Sequence, residues 1–373
     1  MSARIAAVLV VLLAVLGGGA LLIFQQQRAQ QASNVETLGQ PLLRGLQAAE
    51  LAAIRIVEPG ATLTLALKDG RWTLAERGGF PADFAKVRDF VLKAIELKVG
   101  QSEPIGEPDR ARLALNEPGK DGAGALIEFL AAEGKPLARL LVGKKHFRRE
   151  PENPDKASGD GRFVMRPDSP KTAFVVADPL AQASARSALW IDKTAYAAEM
   201  VKTLELRLPD GGGWRIERAG DNADWKLVGA KPGEKLELTR ANSAAYMMGR
   251  GSLADLAPAD AKPGETGLDK PTLVSAITFD GLTYTLRVGK KAGENRYVRV
   301  AVDGAPRKER VPENSESAED KARRDREFSE RVKRIEDRLP HEKALADYVL
   351  LVPASKLEDM LAPRAEMLER KKP

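Results

Sequence analysis

Short motifs from the first half of the chain recur in the second half in the same order, and this repeat limits the fold more than any other feature. The members of each matched pair lie 134 to 153 residues apart, and the separation drifts only gradually. One match could arise by chance, whereas six in order indicate two copies of one folding unit. The pairs are Ile54–Ile56 with Leu204–Leu206, Trp72–Leu74 with Trp225–Leu227, Leu115–Pro118 with Leu268–Pro271, Ile127–Phe129 with Ile277–Phe279, Val142–Lys145 with Val288–Lys291, and Phe163–Val164 with Tyr297–Val298.

Each copy is predicted to contain antiparallel strands and a helix. Apolar and polar residues alternate at Ile54–Ile56 and Leu63–Leu67, which is typical of a half-buried strand. Asp280 and Gly281 separate two alternating runs and predict a tight hairpin, because both turn positions favour positive φ. A weaker helix is expected after Thr239. In the first copy Asp83 is the expected N-cap of a helix with one apolar face, which consists of Phe84, Val87, Phe90, Val91 and Ile95.

These elements predict an α+β fold in which an N-terminal transmembrane helix precedes two duplicated units, each an antiparallel sheet with helices. We expect the membrane segment over residues 1–24 and a linker over 25–46. The first repeat is expected over residues 47–192 and the second over 193–373. The second repeat carries a charged insertion over residues 307–343 that the first one lacks.

The membrane segment rests on Ile5–Phe24, twenty residues without a charge. At about 1.5 Å per residue, a helix of this length spans roughly 30 Å, the thickness of a bilayer core. A cleaved signal peptide would have a shorter apolar core and a small-residue cleavage site, so we favour an uncleaved signal-anchor. Arg4 favours a cytoplasmic N-terminus. The expected location is therefore the inner membrane, single-pass, with the body on the extracytoplasmic (periplasmic) side.

Two insertions distinguish the copies. The first copy has a polar segment, His146 to Arg162, which we interpret as a loop. In the second copy, residues 315–339 are predicted to form one helix that Ser317 caps and Pro340 ends. Its narrow apolar stripe either packs on the protein's own sheet or docks a partner helix. The candidate partner-binding residues of that stripe are Phe328, Val332, Ile335 and Leu339.

A set of short motifs points to a known family: Gly39–Leu43, Ile54–Ile56 followed by Lys68–Leu74, Phe80–Asp83, and the Leu-Val-Gly-Lys-Lys run that ends at Lys145. In these motifs the chain resembles the bacterial domain of unknown function 4340 family. The resemblance implies tandem copies behind a membrane anchor and an accessory role beside an ABC-type transporter or other envelope subunits. The family has no assigned catalytic residues, so none can be transferred to this chain.

The sequence offers little for catalysis or metal binding. It has no cysteine, which excludes thiol nucleophiles and Cys-ligated metals, and only two histidines, His146 and His341. None of the common nucleotide, hydrolase or zinc motifs occurs. The net charge of +6 is spread along the chain and does not indicate nucleic-acid binding. We therefore expect no catalytic residue, no cofactor, no metal and no nucleic acid partner, and interpret His341–Glu342 as a solvated surface pair.

Three readings of function remain open. The first is a non-enzymatic scaffold or binding module in a cell-envelope complex. The second is a glycan hydrolase that uses two facing carboxylates. The third is a lipid or glycan binder, for which Trp72 and Trp225 are candidate platforms, although a tryptophan at the start of a strand usually packs in the core. The repeated Gly-Lys-Lys segments at Lys145 and Lys291 are either anion-binding turns or structural turns.

Overall fold

The computed structural model describes residues 38–150, 153–178, 180–310 and 316–369. The chain divides into two units. Unit 1 consists of the chain up to Thr73 together with Phe84–Leu189, and unit 2 consists of Leu74–Asp83 together with Trp190–Pro373. The architecture is α+β, with two antiparallel sheets and few helices, which confirms the predicted fold class.

The first sheet has nine strands in the order β4-β3-β2-β1-β6-β7-β8-β9-β5. Its inner face buries Ile54, Ile56 and Phe129 at 0–1 % exposure, as the period-two pattern predicted. The strands are β1 (Ala53–Glu58), β2 (Ala61–Lys68), β3 (Arg71–Leu74), β4 (Phe80–Pro81), β5 (Gln101–Pro104), β6 (Ala125–Leu130), β7 (Pro136–Glu150), β8 (Asn153–Met165) and β9 (Thr172–Val176).

The second sheet has eight strands in the order β12-β11-β10-β14-β15-β16-β17-β13. The hairpin predicted at Asp280 and Gly281 joins β14 and β15. Its turn also includes Phe279, and only Gly281 has positive φ, so the expected positive φ is wrong for Asp280. The strands are β10 (Val201–Arg207), β11 (Gly213–Glu217), β12 (Lys226–Leu227), β13 (Asp255–Leu256), β14 (Thr272–Thr278), β15 (Leu282–Ala292), β16 (Asn295–Gly304) and β17 (Leu350–Pro353).

Helices connect or cover the strands of each unit. The buried face of the first helix consists of Val87, Phe90, Val91 and Ala94, while Phe84 is 64 % exposed, so its predicted place on the apolar face is wrong. The α-helices are α1 (Phe84–Glu96), α2 (Glu107–Arg112), α3 (Leu238–Met248), α4 (Pro263–Thr266) and α5 (Ala318–Ala344). Short 3₁₀ turns occur at Ala48–Glu50, Ala75–Arg77, Ala132–Gly134, Ser187–Leu189, Leu345–Asp347, Ala354–Lys356, Asp359–Leu361 and Arg364–Met367.

The two sheets have the same strand order apart from β4. Strands β3-β2-β1-β6-β7-β8-β9-β5 correspond in turn to β12-β11-β10-β14-β15-β16-β17-β13. Strand pairing also corrects one of the six sequence matches. Ile54 faces Phe129, and its counterpart Leu204 faces Ala276, so Phe129 corresponds to Ala276 and not to Phe279. The match of Ile127–Phe129 with Ile277–Phe279 is therefore wrong by three residues.

The corrected register reveals an exchange of large and small side chains. In unit 1, Phe129 on β6 faces Ala138 on β7. In unit 2, Ala276 on β14 faces Tyr284 on β15. Each pair places one aromatic ring and one methyl group at the same point of the core, but on opposite strands. Because protein cores are close-packed, such an exchange conserves the filled volume.

The glycine of the repeated Val-Gly-Lys-Lys segment allows a close approach of chain segments in both units. A Cβ added at Gly143 would lie under 3.0 Å from the carbonyl oxygen of Leu113, and one at Gly289 would be as close to that of Thr266. In both units an arginine of the next strand donates to the glycine carbonyl, with Arg162 Nε at 2.7 Å and Arg296 Nη1 at 3.1 Å.

The lysine backbone after Gly143 is also engaged, since Lys144 N donates to Leu113 O at 2.9 Å. An anion bound here would need that N–H, so this contact argues against the anion-binding reading. The expectation of a turn is wrong for both segments, because Gly143–Lys145 lies within β7 and Gly289–Lys291 lies within β15.

Both insertions differ from expectation. The segment from His146 to Arg162, interpreted as a loop, instead extends β7 and β8 into a long hairpin that pairs as far as Glu150 with Asn153. The charged insertion forms α5, and Ser317 Oγ accepts from Asp320 N at 3.1 Å as the predicted cap. Pro340 was expected to end this helix, but the helix continues through it to Ala344.

No helix within the described ranges is long and apolar enough to cross a membrane. The predicted anchor, Ile5–Phe24, lies outside the described residues.

Candidate functional site

The candidate site is a cleft of about 400 Å³ in unit 2, which we call the Arg–aromatic cleft. Two arginines and two aromatic rings face it from the end of β11, the segment before β12 and the outer side of α3. Its volume lies in the range of small-molecule sites, roughly 300–1,000 Å³. The cleft is lined by Ala198, Glu199, Met200, Val201, Arg218, Trp225, Asn242, Ala245, Tyr246, Gly249 and Arg250.

Trp225 forms the floor of the cleft. It directly precedes β12 and is 4 % exposed. Its indole Nε1 donates to Asn242 Oδ1 at 3.1 Å, so the one polar atom of the ring is satisfied by α3. The guanidinium of Arg218 lies over the ring, 4.7 Å from its centre. This stack holds a positive charge at the base of the cleft.

Arg218 is fixed by contacts behind the cleft. Its Nε donates to Val201 O at 2.7 Å, and its Nη2 bonds Asp221 Oδ1 at 2.6 Å. Its Nη1 also donates to Asp221 O. A guanidinium has five N–H donors, so two remain for other partners. The side chain is 14 % exposed, which makes it a preorganised and largely desolvated donor.

The second arginine is Arg250, at the mouth. Its guanidinium lies 4.6 Å from the ring centre of Tyr246, which is itself 56 % exposed. Among the residues that the structure describes, no carboxylate lies within 4.0 Å of Arg250. Asn242 and Tyr246 are four residues apart on α3, so both point from the same helix face.

The helix expected after Thr239 is α3, which begins one residue earlier, at Leu238. Glu237 caps it and accepts from Thr239 N at 3.2 Å and from Arg240 N at 2.7 Å. The backbone hydrogen bond from Arg240 is the main reason that the pKa of Glu237 lies below its ordinary value.

The remaining wall is strained backbone. Met200 has φ of 53°, in the left-handed region that side chains rarely adopt. Met200 O accepts from Phe279 N at 2.9 Å, and Ala198 N donates to Met248 O at 3.0 Å, so neighbouring elements hold the segment in place. Strained residues of this kind concentrate at ligand sites and active sites.

Next to the cleft, α5 inserts a carboxylate into the core. Glu342 is 2 % exposed and accepts from Ala197 N at 2.9 Å and Tyr284 Oη at 2.8 Å. Arg338 Nε lies 3.2 Å from Glu342 Oε1 as an ion pair, and Arg338 Nη1 lies 3.3 Å from Glu199 in the cleft. The expectation of a solvated pair at His341–Glu342 is therefore wrong for Glu342.

These contacts affect the ionisation of the groups involved. Burial, and then the nearby charge of Glu342, raises the pKa of Tyr284 well above its ordinary value. Burial alone raises the pKa of Tyr196, whose ring centre lies 6.3 Å from that of Tyr284. Burial lowers the pKa of Arg338, but the carboxylates of Glu199 and Glu342 outweigh it, so the pKa is raised overall.

The predicted partner stripe lies on α5 but is not a free surface throughout. Ile335 is 1 % exposed, so the protein's own side chains bury it. Phe328, Val332 and Leu339 are half-buried. Arg331 of the same helix pairs with Asp280, which is 5 % exposed, at 3.1 Å. Docking of a partner through the three half-buried residues stays a prediction.

Of the other candidates, Trp225 lies in the cleft, whereas Trp72 is a half-buried residue of β3. His146 packs its ring edge against Phe163 at 5.2 Å.

Sequence reasoning missed Arg218 and Arg250, because only the fold brings these arginines onto the aromatic rings. No cluster of three potential metal ligands occurs within the described part of the chain.

Comparison with known proteins gives one family. Residues 72–271, just over half of the chain, match the family model described as a domain of unknown function, DUF4340. This single match begins in unit 1 and ends in unit 2, so the predicted tandem copies behind an anchor are not confirmed by it. No curated protein and no solved structure matches the chain.

Proposed function

Because the chain belongs to the DUF4340 family, which has no assigned activity, we propose its function from its own residues: a non-enzymatic binding module that captures an anionic group in the Arg–aromatic cleft. We place it in a cell-envelope complex, anchored in the inner membrane by Ile5–Phe24 with its body on the extracytoplasmic side. An accessory role beside an ABC-type transporter is part of the proposal.

We infer that the two units arose by duplication. The common strand order, the matching glycine contacts and the exchange of Phe129 and Tyr284 support this inference. Duplicated units that differ in their surface features are suited to holding more than one ligand or partner. The length and apolar character of Ile5–Phe24 support the anchor.

The observation that carries the binding function is the guanidinium of Arg250, which has no carboxylate partner among the described residues, in the same cleft as the guanidinium of Arg218, which Asp221 pairs from behind. Two guanidinium groups and the amide nitrogen of Asn242 supply N–H donors to one cleft. Planar guanidinium groups match the oxygen pairs of carboxylates and phosphates. The ring of Tyr246 adds an exposed surface for the apolar or sugar part of such a ligand.

The direct test is titration of the purified full chain with inorganic phosphate, citrate and acidic peptidoglycan fragments, followed by tryptophan fluorescence. Trp225 lies in the cleft and serves as the reporter, and Trp225→Phe identifies its share of the signal. Arg250→Gln should weaken binding at least tenfold, the loss expected for one charge-assisted hydrogen bond. Arg287→Gln, an exposed arginine of β15 outside the cleft, is the matched control.

Failure of every acidic probe to bind, or equal binding by Arg250→Gln and wild type, would overturn the cleft assignment. The envelope assignment is tested separately. The full chain should stay in the membrane fraction after salt and alkaline washing, and envelope subunits should co-purify with it. A soluble form that begins near Ser33 would contradict the anchor.

A further inference from the structure

Unit 1 contains a separate pocket of about 570 Å³ that differs in chemistry from the Arg–aromatic cleft. We propose that this pocket binds an aliphatic carboxylate. Arg110 pairs with the carboxylate group, and an apolar floor packs against the aliphatic part of the ligand. The floor consists of Leu115, Leu141 and Met165. The walls consist of Pro108, Ala111, Pro167 and Pro170, and the charged residues at the mouth are Glu107, Glu117, Lys120 and Asp121.

The floor is an apolar patch on the sheet face. Leu141 on β7 faces Met165 on β8, and both belong to a buried cluster with Leu115. The corresponding pair in unit 2 is Arg287 and Arg299, which face each other on β15 and β16 and are exposed to solvent. The same position of the sheet is therefore solvated in one unit and apolar in the other. The shared fold does not require apolar residues at this position, since unit 2 has arginines there.

Arg110 supplies the polar end of the pocket. Its Nε is buried and makes no hydrogen bond within the described structure. Its Nη2 lies 3.9 Å from Glu107 Oε1, too far for a hydrogen bond, and Glu107 is 87 % exposed. The Arg110 side chain is 26 % exposed and has no acceptor within hydrogen-bond distance among the described residues, so a ligand carboxylate can pair with its guanidinium.

The corresponding region of unit 2 cannot hold such a ligand in the same way. By the match of Leu115 with Leu268, the counterpart of Arg110 is Pro263, which has no donor. Lys290 Nζ donates to Gly264 O at 2.8 Å and so occupies this region. Arg110 and the apolar pair Leu141–Met165 thus occur together in unit 1, whereas unit 2 has Pro263 and the two exposed arginines Arg287 and Arg299 at the corresponding positions.

The walls are rigid and the mouth is partly neutralised. Three prolines line the pocket, and each has a fixed φ. Ala114 has φ of 56°, a strained position that unit 2 gives to Gly267. Glu117 Oε1 lies 3.7 Å from Arg139 Nη2, so a residue outside the pocket balances the charge of this carboxylate. The apolar floor and the rigid proline walls favour a short aliphatic chain over a polar sugar, and the guanidinium of Arg110, which has no acceptor within hydrogen-bond distance among the described residues, favours a carboxylate head group.

The test uses the full chain in lipid nanodiscs and isothermal titration calorimetry with octanoate, and empty nanodiscs are the blank. Octan-1-ol and octylammonium have the same chain with a neutral or a positive head. Octanoate should bind best. Arg110→Met should weaken octanoate at least tenfold and leave octan-1-ol unchanged. Arg112→Met, on the same helix but outside the pocket, should bind like wild type.

Ala111→Phe fills the pocket without touching the charge and should abolish binding of both octanoate and octan-1-ol, which keeps the test decisive if Arg110→Met does not fold. Arg250→Gln in the other unit should leave octanoate binding unchanged. The proposal is overturned if wild type does not bind octanoate, if octylammonium binds equally well, if folded Arg110→Met binds octanoate like wild type, if Ala111→Phe binds normally, or if Arg250→Gln removes the binding.

Discussion

Glu342→Ala tests whether α5 belongs to the core of unit 2. The carboxylate is 2 % exposed and holds Ala197 N, Tyr284 Oη and Arg338 together. The substitution leaves the N–H of Ala197 without its acceptor, leaves the Tyr284 hydroxyl only the more distant Ala197 O at 3.2 Å, and leaves Arg338 with one carboxylate partner fewer. We expect a large loss of stability, because the charged and polar groups around the lost carboxylate stay buried.

The magnitude follows from the contacts. Removing one partner of a buried ion pair costs about 3–5 kcal/mol, and Tyr284→Phe, which removes one hydrogen bond, should cost about 1–2 kcal/mol. Because the two residues touch, the double variant should cost less than the sum of the single ones by about 0.5–3 kcal/mol. At roughly 2–4 °C per kcal/mol for a unit of this size, Glu342→Ala should lower Tm by about 6 °C or more.

Urea and thermal unfolding, followed by circular dichroism, measure these differences. Glu336→Ala replaces an exposed glutamate of the same helix and is the matched control, with an expected change within about 0.5 kcal/mol. A change that small for Glu342→Ala would refute the assignment of α5 to the core. The first repeat lacks a counterpart of residues 307–343, so the shared fold alone does not require this segment. The burial of Ile335 and Glu342 predicts instead that deletion destabilises unit 2.

Three further outcomes are expected. Gly143→Ala and Gly289→Ala should each lower the free energy of unfolding by about 1–3 kcal/mol in urea titrations, because both added methyl groups meet backbone oxygens. Burial raises the pKa of Tyr284, so the stabilising contribution of this tyrosine is full below its ordinary pKa of 10.0 and is lost as the pH rises above that value. Tyr284→Phe should therefore flatten the alkaline decline of Tm, and Tyr246→Phe should not. The pKa of Glu237 is lowered, so this carboxylate stabilises the fold above its ordinary pKa of 4.5, and the stabilisation is lost as the pH falls. Glu237→Gln should therefore flatten the acid decline of Tm.

The fold class could be predicted because its signals are local. Alternating residues such as Ile54 and Ile56, and the turn at Asp280, depend only on neighbouring positions. The register between the copies is different. Ile127 matches Ile277 as well as Val274 by residue type, and only strand pairing decides in favour of Val274. The continuation of β7 and β8 beyond Lys145 was also hidden, because its sequence is mostly polar and shows no regular alternation of apolar and polar residues.

The site was less predictable because its contacts are between distant residues. Trp225 was a candidate from its repeat position, but the sequence gives no sign that Arg218 lies on its ring. From its sequence neighbours, Glu342 is expected to be a surface residue of a charged segment. Its burial depends on a contact with Tyr284, more than fifty residues earlier in the chain. Pro340 normally ends a helix, since it removes one hydrogen bond. Here the buried contacts of Glu342 and Leu345 hold the turn that follows it.

The exchange of Phe129 and Tyr284 connects the core of unit 2 to its insertion. In unit 1 the aromatic ring is Phe129, which stacks on Phe90 of α1 at 6.2 Å and needs no polar partner. In unit 2 the ring is Tyr284, whose hydroxyl is buried and requires one. Glu342 supplies it from α5, and Arg338 then connects Glu342 to Glu199 in the Arg–aromatic cleft. A ligand anion in that cleft would compete with Glu199 for positive charge. Hence α5 and the cleft form one electrostatic network, and the stability of α5 should respond to ligands that bind beside Glu199.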